Sequence, residues 1–190
     1  MKKLYILLPF ALLSLTLFAQ NPVLNPDFEN WTSGTPNNWF TNNAGVNTPV
    51  TKATPGYASA SAAKLTAIVI AGQGTTVPIL LSANNGFPVT HMYSNLEFYY
   101  LANLLGNDAC NISVTFSDAS NNAVGVGATR ISADKTSFTH VTVPITNIGG
   151  TPVKCLIAFS VQDTTGFIVA SQGSTITIDN VQLTGVIGID

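Results

Sequence analysis

Catalysis by a nucleophile requires a serine, threonine or cysteine beside a base that a third group orients. The chain has two histidines, His91 and His140, and no G-x-S-x-G elbow. His140 falls on the polar side of a strand pattern and His91 in a loop, so both read as surface residues. Glycoside hydrolysis needs two carboxylates across a cleft. The glutamates are Glu29 and Glu97, and no pairing among the nine acids stands out from chance. Cys110 and Cys155 lack paired spacing and no histidine cluster accompanies them, which argues against a zinc site. Neither Gly72-Gln73-Gly74 nor Gly125-Val126-Gly127 leads into a helix or carries the lysine of a phosphate loop. The aromatic and amide residues are more informative. A ring that stacks on sugar C–H faces, beside neutral groups that read hydroxyls, is a way to bind a glycan. Tyr99, Asn111, Ser113, Thr115, Ser160 and Gln162 fall on the outward parity of strand patterns, and Trp31, Tyr57 and Tyr93 could line loops. From these the candidate ligand-binding residues are Trp31, Tyr57, Tyr93, Tyr99 and Asn111. Trp39 reads as an anchor in the core or a loop.

The elements that must position them are strands. After Gln20 the helical period is nearly absent and a period of two recurs. Leu96, Phe98 and Tyr100 alternate with Glu97, Tyr99 and Leu101. Ile112, Val114 and Phe116 do the same, as do Val141, Val143 and Ile145, and Cys155, Ile157, Phe159 and Val161. Leu65, Ala67 and Val69 suggest another strand, and Val77–Leu81 one more. Asn84-Asn85-Gly86, Asp118–Asn122, Asn147–Gly150, Asp163–Gly166 and Ser171–Gly173 supply turns. Short strands between such turns predict an all-β sandwich of jelly-roll type. Asn30–Gly56 reads as an ordered loop region wrapping it. Pro144 cannot donate to a ladder, so its strand belongs at an edge or ends there. Ile176 and Ile178 share one parity, Val181 and Leu183 the other. One extra residue at Asp179–Asn180 would bring all four to the core, which predicts a β-bulge.

Seven Lys and Arg against nine Asp and Glu give a net charge of −2, and −4 once Lys2 and Lys3 are removed. That balance argues against a nucleic-acid partner. Met1–Ala19 reads as a secretory signal, with Lys2 and Lys3 before the apolar Leu4–Phe18 run and Ala19 before the cut. The expected organisation is a signal peptide over 1–19 and one β-sandwich domain over 20–190, with no later membrane span. Charged residues are 8% of the chain, against about 25% in an average domain. Export implies the periplasm, the cell surface or the extracellular space.

Asn25-Pro26-Asp27-Phe28-Glu29-Asn30-Trp31, followed by Pro36-Asn37-Asn38-Trp39, resembles the opening of secreted bacterial galactose-binding-like jelly rolls, the fold of many carbohydrate-binding modules. Thr177-Ile178-Asp179-Asn180-Val181-Gln182-Leu183 is similar to their closing strand. Gly56–Leu65, Tyr93–Tyr100, Asp108–Phe116, Val124-Gly125 and Val141–Ile145 resemble the strands between. Pro26 stands where the family has glycine. The resemblance implies a galactose-binding-like jelly roll. It also implies a structural calcium held by the glutamate of the opening motif and the aspartate of the closing one, here Glu29 and Asp179. Calcium takes six to eight oxygens, so carbonyls of Asn21–Asn25 and Thr48–Gly56 are expected to complete the set.

The sequence therefore predicts an exported, non-catalytic carbohydrate-binding module for a neutral glycan. The alternative is a structural or adhesive envelope protein that binds protein partners, and a small glycan-active hydrolase is the weaker third reading. Cys110 and Cys155 share core parity but begin their strands. If those strands are antiparallel neighbours, the two lie beyond bridging range, so two buried free thiols are expected over a disulfide.

Overall fold

The computed structural model describes residues 21–82, 85–165 and 169–187. The predicted signal segment lies outside them. The described residues form sixteen strands: β1 (Trp31–Thr32), β2 (Thr35–Pro36), β3 (Trp39–Thr41), β4 (Val50–Ala53), β5 (Ala62–Thr66), β6 (Val69–Ile70), β7 (Gly74–Thr75), β8 (Ile79–Ser82), β9 (Phe87–Pro88), β10 (Met92–Asn103), β11 (Asp108–Ser117), β12 (Ala123–Ile131), β13 (Lys135–Pro144), β14 (Thr146–Asn147), β15 (Lys154–Asp163) and β16 (Thr175–Ile187). One antiparallel sheet has the order β13-β10-β16-β5-β4. The other runs β14-β12-β11-β15-β8-β3, with β9 also paired to β15. Two short hairpins, β1-β2 and β6-β7, stand outside them. This is the jelly-roll sandwich that the alternation predicts.

The core lies where the inward parities of the two sheets meet. Phe98 of β10 packs edge-on against Phe159 of β15, with centroids 5.2 Å apart, and Tyr93 of β10 meets Phe116 of β11 at 6.2 Å. Phe98, Phe116 and Phe159 are fully buried, and each contributes roughly 1.5–3 kcal/mol by leaving water. Trp39 is buried against Phe28 and Phe159, and its indole N–H donates to the Leu24 and Asn25 carbonyls, as expected of an anchor. Pro144 ends β13, which is the edge of the five-stranded sheet.

The bulge in β16 is present. Glu97 pairs Gln182 and Tyr99 pairs Asp179, so β16 carries one extra residue, and Asn180 takes a positive φ of 51°. Ile176, Ile178, Val181 and Leu183 are all buried as a result.

Two expectations need correction. Asn30–Gly56 is not a loop around the sandwich: it supplies hairpin β1-β2 and the edge strands β3 and β4 of opposite sheets. Its strands are too short to show a period. Val69 does not continue the strand of Leu65. β5 stops at Thr66, and Val69, half exposed, pairs Thr75 in the β6-β7 hairpin.

Both cysteines are buried and free. Cys155 pairs Phe116 and Cys110 pairs Val161, so they sit at opposite ends of β11 and β15, about 20 Å apart at 3.4 Å per residue. Burial pushes the Cys110 thiol up to about 12 and the Cys155 thiol further, so neither forms a reactive thiolate near neutrality. Alkylation of denatured, unreduced protein should label both thiols, as intact mass will show. An unlabelled pair would contradict this register.

Candidate functional site

The loop from Gly56 to Ser61 folds over the outer face of the five-stranded sheet and is held there by the two acids of the sequence motifs. Asp179 lies at the bulge and is fully buried. Its Oδ2 accepts from the Tyr57 amide at 2.6 Å and the Ser59 hydroxyl at 2.9 Å, and its Oδ1 accepts from the Asn180 amide at 2.7 Å. Glu29 Oε1 accepts from the Ser61 amide at 2.6 Å and the Ser61 hydroxyl at 3.0 Å. Glu29 and Asp179 thus hold the same loop, one at Ser61 and the other at Tyr57 and Ser59. Burial pushes the Asp179 carboxyl above its ordinary value, with Asp27 adding to the rise, while its hydrogen bonds pull it back. The Ser61 amide above all holds Glu29 below the usual range.

The donor chemistry of this corner suits calcium. A Cβ placed on Gly56 would fall 2.3 Å from Ser59 Oγ, 2.4 Å from the Ser61 carbonyl oxygen and 2.6 Å from Asp179 Oδ2. Hard oxygens thus converge beside a residue with no side chain. A cavity of about 180 Å³ adjoins them, lined by Asp27, Ala58, Ser59, Asp179 and Asn180. The oxygens beside Gly56 are those of Ser59, Ser61 and Asp179. Asn21 is engaged elsewhere, bridging the Val181 carbonyl and the Leu183 amide. Among the described residues no three His, Cys, Asp or Glu side chains cluster, so carbonyls and hydroxyls would have to supplement the carboxylates.

The same loop determines what two candidate rings can do. Tyr57 stacks on Tyr99 with centroids 3.5 Å apart and planes 11° from parallel. One face of Tyr99 is covered by Tyr57, and His140 packs beside it at 5.0 Å. Tyr99 is therefore a support for Tyr57 and not an open stacking surface. Tyr57 is 41% exposed, with Phe138 edge-on at 6.0 Å. His140 Nε2 lies 3.2 Å from Glu97 Oε2, an exposed pair worth at most about 1 kcal/mol.

Two other candidates belong to the interior. Tyr93 is 4% exposed and packs on Phe116, so it is a core residue and does not line a loop. The loop reading fails because β10 begins at Met92 and carries Tyr93 into the sandwich. Trp31 is half-buried against the core, its indole N–H donated to the Phe28 carbonyl.

Asn111 lies on the outer face of the seven-stranded sheet, as expected. A cavity of about 440 Å³ there is lined by Asn111, Ser113, Ala128, Arg130, Ala158 and Ser160, with Ile112 and Thr129 at its margin. The ladder fixes its floor. Ala128, Ser113, Ala158, Leu81 and Phe40 lie side by side across β12, β11, β15, β8 and β3. Arg130, Asn111, Ser160 and Ile79 form the next row. Arg130 Nε donates to Asn111 Oδ1 at 3.0 Å, while the Asn111 side-chain nitrogen is buried without a partner among the described residues. At the far end Phe40 is 55% exposed beside a second depression of about 360 Å³, lined with Leu81, Ser82, Asn85 and Leu156. Phe40 was missed from sequence because β3 has three residues, too few for a parity argument. Alternation with the buried Trp39 and Thr41 was the signal available.

No family model matches the chain, and no curated protein matches it. Solved structures share its fold. A protein of Bacteroides thetaiotaomicron, provisionally assigned as a glycoside hydrolase, has a TM-score of 0.68 at 14% identity, over 85% of this chain and 71% of that one. TmCBM61, solved with beta-1,4-galactotriose, has a TM-score of 0.58 at 14% identity, over 88% and 99%. CBM28, a carbohydrate-binding module specific for non-crystalline cellulose, has a TM-score of 0.51 at 18% identity, over 87% and 97%. At these identities the likeness is one of fold.

Proposed function

We propose that this chain is an exported, non-catalytic module that binds a neutral glycan across the outer face of its seven-stranded sheet. The observation that carries the reading is the cross-strand row Ala128, Ser113, Ala158, Leu81 and Phe40. Small residues keep the floor low enough for a sugar chain. Phe40 offers a ring face at one end. Asn111, Ser113 and Ser160 offer neutral hydrogen-bonding groups at the other. Rigid strands hold these groups before ligand arrives, which reduces the ordering cost of binding. Two of the fold neighbours named above are carbohydrate-binding modules, which supports the same reading. Neither depression is lined by an aspartate or glutamate, which favours binding over hydrolysis. Glu29 and Asp179, with Ser59 and Ser61, would hold a structural calcium. Its chemistry there is to neutralise the buried carboxylate and fix the Gly56–Ser61 loop.

Calorimetry against a panel of neutral oligosaccharides tests the proposal. Affinity should be weak and nearly independent of salt, because the lining has one charged residue. Phe40→Ala should weaken binding about tenfold, since stacking on one ring is worth roughly 1–2 kcal/mol. The variant should melt as the wild type does. Silence across the panel would remove the proposal and favour the alternative, an adhesive protein that binds protein partners.

A further inference from the structure

Tyr57 and Tyr99 lie face to face on the outer side of the five-stranded sheet, with ring centroids 3.5 Å apart and planes 11° from parallel. Carbon atoms in contact sit best at roughly 3.5–4.0 Å, so so short a centroid spacing leaves no room for lateral offset, and the rings are eclipsed. Aromatic pairs prefer an offset or edge-on arrangement, so the surroundings must hold this one. Asp179 ties both partners. It stands opposite Tyr99 across β16 and β10, and its Oδ2 accepts from the Tyr57 amide at 2.6 Å. The Ser59 hydroxyl donates to the same oxygen, and Glu29 holds the far end of the loop through the Ser61 amide. Phe138 stands edge-on to Tyr57 at 6.0 Å, and His140 packs beside Tyr99 at 5.0 Å.

The two rings also point the same way. The Tyr99 hydroxyl is raised above its ordinary value chiefly by a hydrogen bond to Tyr57, with burial adding to the rise. Phenol oxygens that share a hydrogen bond lie at the same end of the stack. Each ring carbon next to a hydroxyl-bearing carbon therefore lies over its counterpart at close to the centroid spacing. Reacting atoms about 3–3.5 Å apart are a near-attack arrangement. Tyr57 is 41% exposed, so an oxidant reaches the pair from solvent. Tyr93 and Tyr100 are buried, and among the described residues neither stacks on a tyrosine.

We infer that Tyr57 and Tyr99 form an oxidative cross-linking site, at which a haem peroxidase acting with hydrogen peroxide joins the two rings by a carbon–carbon bond. Each phenol gives up one electron and one proton, and the peroxide takes up both pairs to become two waters. The two ring radicals couple at facing ortho carbons. The hydrogen on each joined carbon then leaves as a proton and its oxygen takes one up, which restores two phenols. The net change in the protein is the loss of two hydrogen atoms. The new bond would clamp the Gly56–Ser61 loop to β10 independently of the Asp179 hydrogen bonds. It involves none of the residues of the Phe40 face, so it stands or falls apart from the glycan reading.

The test treats the full chain with a haem peroxidase and hydrogen peroxide, then separates the monomer. Its intact mass should fall by two hydrogens, dityrosine fluorescence should appear, and digestion should yield a peptide pair joined through Tyr57 and Tyr99. Diluting the protein about tenfold at fixed oxidant should leave the half-time unchanged, because the reaction is intramolecular. Tyr57→Phe and Tyr99→Phe, which keep a ring and remove one phenol, should each suppress the mass loss at least about tenfold. Tyr100→Phe should cross-link as the wild type does. The joined peptides identify the residues directly, so the result does not depend on how well the variants fold. A monomer of unchanged mass, cross-links only between molecules, a linkage through other tyrosines, or undiminished coupling in both phenylalanine variants at the stack would each overturn the inference.

Discussion

Gly56→Ala should lower the melting temperature by roughly 6–12 °C. The cause is steric and not a matter of backbone angle. The added methyl would meet Ser59 Oγ, the Ser61 carbonyl oxygen and Asp179 Oδ2 at 2.3–2.6 Å. The Ser59 hydroxyl can rotate aside. The Ser61 carbonyl belongs to the backbone, and Asp179 is held by three donors. Relieving the clash means shifting the loop, which breaks those bonds and separates Tyr57 from Tyr99. Overpacking alone costs about 1–3 kcal/mol, and disturbed buried hydrogen bonds raise the loss to about 3 kcal/mol. Each kcal/mol is worth roughly 2–4 °C in a domain of this size. Gly45→Ala is the control. Nothing lies within 4 Å of its added methyl, so only the strain of its φ of 57° applies. Thermal melts of the two variants should differ several-fold in their shifts. If Gly56→Ala melted within two degrees or so of wild type, the packing of this loop against Asp179 would be wrong.

The sequence yielded the long strands and failed on the short ones, for one physical reason. Parity needs four or more residues to declare itself, and β10, β11, β15 and β16 have ten or more. The bulge at Asn180 was legible because two apolar pairs disagreed in parity and burial forces them to agree. Burial also explains the cysteines: core parity at the starts of antiparallel strands already implied separation. By contrast, β3 and the β1-β2 hairpin carry no period. Their pairing is decided by contacts distant in sequence, such as Trp39 against Phe159. Phe40 fell in that blind region. Tyr99 was recognisable as a ring on an outward parity and Tyr57 as one that could line a loop, but their mutual stacking depends on a loop pinned by Asp179. No local pattern encodes that contact. Ser59 and Ser61 were missed likewise, since a serine hydroxyl or carbonyl becomes a candidate ligand only once the loop has brought it to a carboxylate.

Asp179→Ala should cost about 3 kcal/mol, because it leaves the Tyr57 and Asn180 amides without their acceptor in a buried corner. A melting temperature lower by roughly 6–12 °C is expected. Glu97→Ala should move it by less than about 3 °C, since among the described residues the Glu97 carboxylate meets only the exposed His140 and the Thr184 hydroxyl. Calcium separates two contributions to the Asp179 effect. If the metal sits there, EDTA should lower the wild-type melting temperature and excess calcium restore it, while Asp179→Ala responds to neither and Glu97→Ala behaves as wild type. The pH dependence in EDTA has a definite sign. The folded state raises the carboxyl of Asp179 above 3.8, so its contribution is fully present below that value and is lost as pH climbs through the raised one. Glu29 is lowered from 4.5, so its contribution is present above that value and lost as pH falls through the lowered one. Without metal, Asp179→Asn should therefore remove a decline in stability on the alkaline side of pH 4. A cation reverses that decline by favouring the ionised carboxylate. An EDTA melt identical to the untreated one, with no calcium by elemental analysis, would sink the metal and leave the hydrogen-bonded loop. A wild-type melt for Asp179→Ala would sink both.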